Sequence, residues 1–160
     1  MIGLISAIFI IFNGTPATEI MPVFEENCST IIYSDDAYHM ISQEEIDLMA
    51  RVVMSESSIC GDDCMEAVAT VILNRWMSPD FPDTITDVIK APGQFSTQDN
   101  GKPNEACYLA VYSAIAWWGS DYAIVPKSCY YFRSDYYHPW AIDYTHFDNM
   151  YFSLSKEAAL

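Results

Sequence analysis

The stretch CMEAVATVILNRW, Cys64–Trp76, is apolar around most of the circumference of a helix. Its polar residues recur at intervals of four: Glu66, Thr70 and Asn74. A helix that is apolar on most sides is typical of a buried position. The sequence therefore predicts that this helix, which starts at Gly61, is the buried centre of the domain.

A second helix is predicted on the N-terminal side, over residues 42–57. Ser42 and Glu45 form a capping box. Four apolar residues then follow helical spacing: Ile46, Met49, Ala50 and Val53. Glu56 lies in the last turn, at the edge of this apolar stripe. Burial disfavours an ionised carboxyl, and so does the C-terminal end of a helix. Both effects predict that Glu56 carries its proton.

Further helices are predicted on the C-terminal side of the central helix. A short one begins at about Asp83, after a turn rich in proline. A longer one covers 104–118, opened by Pro103 and closed by Gly119. Between them lies KAPGQFSTQDNGKP, residues 90–103, a loop rich in turn-forming residues.

Two short strands are predicted near the C-terminus. SCYYFRS, residues 128–134, and NMYFSLS, residues 149–155, are clusters of aromatic and apolar residues between turn-prone segments. The segment between them, 135–148, is predicted to be an aromatic loop. The expected fold is α+β, a mainly helical domain with a small late β element.

The N-terminus begins with an apolar run from Ile2 to Phe12, followed by Asn13, Gly14 and Pro16. The run has the length of the apolar region of a secretory signal, whereas a membrane-spanning helix needs about 20 residues. We expect a signal peptide over 1–18, a linker over 19–41 and a domain over 42–154. The protein is predicted to be secreted or attached to the cell envelope.

Composition excludes some classes of partner. The chain has 22 acidic against 7 basic residues and a net charge of −15, so binding a nucleic-acid backbone would work against the protein's own field. Three histidines, His39, His138 and His146, show no metal-ligand spacing. The sequence predicts no metal, no cofactor and no nucleic acid.

The five cysteines leave at least one without a partner in the chain. Cys60 and Cys64 would face each other across one helical turn, so a disulfide between them is open. A cysteine nucleophile paired with a histidine, using Cys107 or Cys129, is also open. Cys107 lies on an apolar run, which favours a buried, inert thiol.

Five segments follow one another in an order that resembles a known family: ISQEEIDLMARVVMSESS, AVATVILNR, FPDTITDVI, PGQFS and YYF. The family is that of the SleB-type cell-wall hydrolases, the spore-cortex-lytic enzymes. The resemblance covers about residues 41–153. Its most specific parts are the spacing from Glu56 to ILNR and the order of FPD and QFS.

The resemblance implies an exported, lysozyme-like domain that cleaves peptidoglycan glycan strands as a lytic transglycosylase, with spore cortex in germination as the expected setting. It places the single acid and base on Glu56. A general acid must be protonated at working pH, whereas a free glutamate has a pKa of about 4.3. The predicted half-buried helix end supplies that environment. The expected partner is the glycan strand, and a regulatory protein partner is left open.

A hydrolytic glycosidase also needs a second carboxylate. Three acidic residues are near in sequence, but they are explained as helix-start charges or as a solvated stripe of the central helix: Asp62, Asp63 and Glu66. A transglycosylase needs one carboxyl, because the same group can take the proton of the muramyl 6-hydroxyl, which closes on C1.

The resemblance also assigns residues to the substrate groove. Gln94, Phe95 and Ser96 are expected to line it, and Tyr131 and Phe132 to offer flat faces to sugar rings. The other aromatic candidates are Tyr130, Tyr136, Tyr137 and Trp140. Asn74 and Arg75 are expected to cap and anchor the central helix rather than to contact substrate.

Two departures from the family pattern leave alternatives open. Residues 57–60, Ser-Ser-Ile-Cys, stand where the family usually has Ala-Arg-Gly-Glu, and Met150 stands where it often has a histidine. One alternative is a peptidoglycan-binding or regulatory module without turnover. Another is an N-acetylmuramoyl-L-alanine amidase, a class that typically needs zinc.

Overall fold

The computed structural model describes residues 10–11, 30–34, 37–57, 60–95 and 102–156. Within them the helices are α1 Gln43–Ser57, α2 Asp62–Trp76, α3 Ile85–Lys90 and α4 Glu105–Trp117. The strands are β1 Ile10–Ile11, β2 Thr30–Ser34, β3 Ala37–Ile41, β4 Cys129–Ser134, β5 Ile142–Phe147 and β6 Met150–Leu154. The predicted α+β class, mainly helical with a small late sheet, is confirmed.

Helix α2 is the buried centre of the domain, as predicted. It packs against α1, α3, α4 and β4. Every residue from Ala67 to Arg75 is buried, including Thr70 and Asn74 of the polar stripe. An apolar helix surrounded on all sides removes the most apolar surface from water, which is the main favourable contribution to folding.

Helix α1 begins at the predicted capping box. The backbone N–H of Glu45 donates to Ser42 Oγ at 3.3 Å, and that of Ser42 donates to Glu45 Oε2 at 3.0 Å. The apolar stripe of α1 is buried, with Met49 and Val53 fully so. The helix ends at Ser57, so Glu56 lies in its last turn, as predicted.

Helices α3 and α4 also begin at side-chain caps. Thr84 Oγ1 accepts from the backbone N–H of Asp87 at 3.0 Å, so α3 starts two residues later than predicted. Asn104 Oδ1 accepts from the N–H of Cys107 at 3.0 Å and opens α4. Gly119, with φ of 72°, follows the end of α4 in the left-handed conformation that glycine adopts easily.

The late sheet has the strand order β4-β6-β5, all antiparallel. The two predicted strands correspond to β4 and β6. The predicted loop over 135–148 is wrong in part, because β5 occupies its second half. This strand lies at the sheet edge, and Asp143 and Tyr144 are exposed. An edge strand that faces water does not need the regular apolar alternation from which strands are predicted.

A second sheet lies where the sequence predicts a signal and a linker. β2 and β3 form an antiparallel pair in which Thr30 is opposite Ile41, and β1 runs parallel to β2. Ile41 is fully buried in the core. The segment that contains β2 and β3 mixes apolar residues with Thr, Asn, Asp and Ser and shows no sustained period, so the pattern did not predict them. The division into signal, linker and domain stays a prediction, and most of 1–18 lies outside the described residues.

In the part of the chain that the structure describes, no helix has the length and apolar character to cross a bilayer.

The turn between β5 and β6 holds the start of α2. Gly61 is the N-cap residue of α2, and its backbone N–H donates to Asp148 Oδ2 at 2.8 Å. Beside it, the Cys60 thiol donates to Asn149 Oδ1 at 3.8 Å. A carboxylate at a helix N-terminus accepts an otherwise unpaired N–H and complements the helix dipole. This contact ties the start of α2 to the late sheet.

We expect Asp148→Gly to lower the free energy of unfolding by about 1 kcal/mol relative to Asp135→Gly. Both aspartates are exposed and have a positive φ, 50° for Asp148 and 72° for Asp135. Glycine relieves the backbone equally, so the difference reports the lost bond to Gly61. Urea unfolding measures it, and equal stabilities of the two variants would contradict this role of Asp148.

Candidate active site

Glu56 is partly buried and closes the apolar stripe of α1. Next to it, Ser57 is fully buried and its hydroxyl donates to the Val53 carbonyl at 2.8 Å. The Glu56 carboxyl lies within the electrostatic environment of Arg75 on α2. The structure therefore places the predicted acid at the boundary between the core and solvent, beside a buried cation.

Arg75 is 5% exposed and links α2 to the late sheet. Its Nε donates to the Tyr130 carbonyl at 2.8 Å, and its Cζ lies 4.8 Å from the ring centroid of Phe95. Burial lowers the pKa of Arg75 to about 10, while Tyr131, Cys129 and Glu56 oppose that shift. The guanidinium therefore stays charged at neutral pH.

The sequence pattern indicated only an anchoring role for Arg75, whereas the structure also places it within electrostatic reach of Glu56 and Tyr131. The anchoring part of that prediction agrees with its bond to Tyr130. The available sequence signal was a charged residue in an apolar helix, since a buried charge is uncommon unless it is paired.

Two of the predicted groove residues, Phe95 and Tyr131, lie near this guanidinium, and a third, Phe132, packs on Phe95. The rings of Phe95 and Phe132 are 6.0 Å apart, and Phe132 packs on Phe152 at 5.7 Å. Tyr131 interacts electrostatically with Arg75. Phe95 is only 8% exposed, so packing is its observed role, and its contact with substrate stays a prediction.

An aromatic face continues outward from Tyr131. Trp140 packs edge-on against Tyr131 with ring centroids 4.7 Å apart, and His138 lies 4.7 Å from Trp140. Trp140 is 50% exposed. Burial lowers the pKa of His138, with its bond to the Phe132 carbonyl opposing and Arg133 and Arg75 adding to the shift. The rings of His138 and Trp140 are tilted by 34° against each other, and the half-exposed indole leaves an aromatic surface open to solvent.

The Gln-Phe-Ser segment is only partly within the described residues. Gln94 is exposed, and its backbone N–H donates to the Ala91 carbonyl in a turn that contains Gly93 at φ of 72°. Ser96 lies outside the described residues. The predicted substrate contacts of Gln94 and Ser96 stay predictions.

The other acidic candidates have structural surroundings. Asp62 and Asp63 are exposed in the first turn of α2, where the helix dipole favours negative charge. Glu66 accepts a hydrogen bond from Ser113 Oγ at 2.6 Å and so joins α2 to α4. The exposed positions of Asp62 and Asp63 agree with the predicted helix-start charges. The predicted solvated position is wrong for Glu66, because it is partly buried and bonded to α4.

The described cysteines are free thiols: Cys60, Cys64, Cys107 and Cys129. The thiols of Cys60 and Cys64 are hydrogen-bonded to each other, and burial raises the pKa of Cys64. Cys28 lies outside the described residues. The disulfide left open by the sequence is therefore a reduced pair in this structure.

Neither candidate nucleophilic cysteine has a reactive environment. Cys129 is fully buried, and burial raises its pKa to about 12. Cys107 is also fully buried, with its thiol directed at Met54 Sδ at 3.8 Å. The thiolate is the nucleophile, and apolar burial suppresses it.

We expect Cys64, Cys107 and Cys129 to resist iodoacetamide at pH 8 in the native protein and to react in denaturant. At pH 8 the Cys129 thiol remains protonated, because its pKa of about 12 lies well above that pH. Mass spectrometry of the alkylated peptides measures this. Rapid native modification of Cys107 or Cys129 would reopen the cysteine mechanism.

Among the described residues, no group of three or more His, Cys, Asp or Glu side chains could hold a metal ion.

A cavity of about 550 Å³ lies near the start of α1, between Ser42, Arg51 and Lys90. It belongs to the opposite end of α1 from Glu56 and is separate from the candidate site.

The chain matches the sequence profile of the family described as Cell Wall Hydrolase over residues 59–153. The chain belongs to this family. The matched region of this cell wall hydrolase includes Arg75, Phe95 and the late sheet, and it begins three residues after Glu56. The role of Glu56 stays a prediction.

Curated relatives of this family member are named spore cortex-lytic enzymes. One from Bacillus cereus is 39% identical over an alignment of 100 positions that covers 59% of this chain and 36% of the relative. One from Bacillus subtilis is 35% identical over an alignment of 98 positions that covers 59% of this chain and 31% of the relative. The match thus spans about a third of the length of these relatives.

Solved structures of two catalytic domains share the fold of this cell wall hydrolase. The catalytic domain of the Bacillus cereus SleB protein is 30% identical with a TM-score of 0.60, covering 70% of this chain and 91% of that one. The catalytic domain of a germination-specific lytic transglycosylase, SleB of Bacillus anthracis, has a TM-score of 0.59 and 30% identity, covering 71% and 96%.

Proposed function

We propose that this protein cleaves the glycan strands of peptidoglycan as a lytic transglycosylase, with Glu56 as its sole acid and base. The observation that carries the proposal is the partly buried Glu56 carboxyl beside the buried Arg75 and the aromatic face of Tyr131. The likeness to a catalytic domain named as a lytic transglycosylase supports the reaction class. The names of the curated relatives support spore cortex as the substrate and germination as the setting.

The proposed reaction uses one carboxyl twice. Glu56 donates its proton to the glycosidic oxygen while the bond from muramyl C1 to that oxygen breaks. The resulting carboxylate then takes the proton of the 6-hydroxyl as its oxygen bonds to C1, which gives a 1,6-anhydro sugar. No water is consumed, so the second carboxylate of a hydrolytic glycosidase is not needed.

The proposed groove follows the aromatic face outward from Glu56. Trp140 is half exposed beside Tyr131, and its indole face can pack against the apolar side of a sugar ring. The Gln94 amide, exposed at the turn, can bond sugar hydroxyl or acetamide groups. Phe95 and Phe132 shape the floor, and Ser96 follows them in sequence.

The test is incubation of the purified protein with cortex and vegetative peptidoglycan, followed by mass spectrometry of the soluble products. Anhydromuramyl ends support the proposal. Products with reducing muramic acid ends, one water heavier, indicate hydrolysis instead. Release of stem peptides indicates an amidase, and binding without products indicates a module that lacks turnover.

We propose, separately, that the protein is exported. The support is the apolar run Ile2–Phe12 with the turn-forming residues after it. Fusing residues 1–41 to a reporter that is active only outside the cytoplasm tests this. An inactive fusion, with an active control carrying an established signal, would contradict export.

A further inference from the structure

Arg75 carries a buried hydrogen-bond donor that no group among the described residues accepts. Its side chain is 5% exposed, and its Nη1 atom is buried without a hydrogen-bond partner in that part of the chain. Its Nε is already used by the Tyr130 carbonyl. Buried donors are nearly always paired, because an unpaired one costs free energy. A guanidinium that keeps a free N–H inside the protein therefore points to an acceptor present at another stage.

The surroundings of Arg75 identify that acceptor. The rings of Phe95 and Phe81 lie 4.8 and 5.5 Å from its Cζ and stabilise the cation from two sides. The polar groups that interact with it are Tyr131, Cys129 and Glu56. A phenol and a buried thiol stay neutral at neutral pH. Glu56 alone among these three groups becomes an anion in the proposed reaction.

We infer that Arg75 is a positioning residue whose guanidinium holds the Glu56 carboxylate during turnover, an inference that rests on the proposed function. When the Glu56 proton moves to the glycosidic oxygen, the electron pair of the broken bond stays with that oxygen and the carboxyl becomes an anion. The anion persists until it takes the proton of the 6-hydroxyl. A fixed cation in a region of low dielectric stabilises it throughout that interval.

Four titratable side chains surround the Arg75 guanidinium and bear on how activity depends on pH. Glu56 approaches it from α1, Tyr131 and Cys129 from β4, and His138 from the loop before β5. Removing the charge at Arg75 leaves the others in place. A nearby cation favours the ionised form of an acid, so a change in the pH dependence of activity reports the loss of this charge.

The test compares pH profiles of anhydromuramyl formation for the wild-type protein, Arg75→Met, Arg75→Lys and Arg51→Met. For Arg75→Met we expect the rate at the pH optimum to fall about tenfold or more. We also expect the alkaline limb of the profile, where activity declines with rising pH, to move to higher pH by about one unit or more. Arg75→Lys keeps the charge and is expected to return the limb to its wild-type position. Arg51→Met removes an equal, exposed charge from α1 and should leave the profile unchanged.

An Arg75→Met profile with reduced height but an unmoved limb would overturn the inference and leave a structural role. An equal displacement in Arg51→Met would overturn it too. If Arg75→Met does not fold, the pH profile of the wild-type protein is measured at 0.05 and 0.5 M salt instead. Salt screens a buried charge little, so the inference predicts the same alkaline limb at both concentrations. A displacement of about one pH unit would mean that surface charges set the limb, and it would overturn the inference. Absence of anhydromuramyl products from the wild-type protein would instead refute the proposed function.

Discussion

The Glu56→Gln variant is expected to form anhydromuramyl products at least about 10³-fold more slowly than the wild-type protein. Glutamine has nearly the shape of glutamate, so the partly buried position at the end of α1 should accept it. Its amide neither donates a proton as an acid nor accepts one as a base. Because the proposed reaction uses the carboxyl in both steps, the substitution removes both. Initial rates from product analysis by mass spectrometry measure the loss.

Glu66→Gln is the matched control for this experiment. Glu66 is also partly buried, and it accepts a hydrogen bond from Ser113 at 2.6 Å. Apart from the exposed Asp62 and Asp63 at the start of α2, Glu66 is the candidate second carboxylate nearest to Glu56 in sequence. We expect it to keep the wild-type rate within a few-fold, since a glutamine oxygen can still accept from Ser113.

Two outcomes would contradict the single-carboxyl mechanism. A folded Glu56→Gln protein with at least a tenth of the wild-type rate would remove Glu56 as the acid. An equally large loss in Glu66→Gln, with both variants folded by circular dichroism, would point to two carboxylates and to hydrolysis. The second result would also predict reducing ends in the products rather than anhydro ends.

The helical part of the fold follows from local chemistry and was predictable. The capping box of Ser42 and Glu45 satisfies backbone groups within one turn, so its signature is complete in the sequence. The burial of α2 follows from apolar residues on nearly every side. Strand β5 was missed because it lies at a sheet edge, where its exposed residues are not constrained to alternate.

The candidate site was predictable only in part, since its members meet through tertiary contacts. Glu56 was selected from its place at the edge of the α1 stripe, a local property, and from the family resemblance, and its catalytic role stays a prediction. The role of Arg75 depends on β4, more than 50 residues later, which supplies the Tyr130 carbonyl and brings Tyr131 near the guanidinium. Spacing within α2 shows that a charge is buried, but not which groups surround it.

The largest loss of stability is expected for Asn74→Leu. The Asn74 amide nitrogen donates to the carbonyls of Pro126 and Cys129, both at 2.9 Å, and its Oδ1 accepts from the Trp118 indole N–H at 2.8 Å. Leucine fills a similar volume but takes this partner away from the Cys129 carbonyl and the Trp118 indole N–H, both in buried contacts. The Pro126 carbonyl still accepts from the Cys129 backbone N–H. Each buried group that loses its partner costs about 1 to 3 kcal/mol, so we expect the free energy of unfolding to fall by about 2 kcal/mol or more. Urea unfolding followed by fluorescence measures it.

Thr70→Val is the control on the same polar stripe, one turn earlier in α2. The Thr70 hydroxyl donates only within its own helix, to the Glu66 carbonyl at 2.8 Å, so its replacement should cost less than about 1 kcal/mol. Equal losses in the two variants would mean that the three bonds of Asn74 contribute little. Because Asn74 joins α2 to the start of β4, its loss should also loosen the contact through which Arg75 reaches Tyr130, and peptidoglycan cleavage should fall even where the variant remains folded.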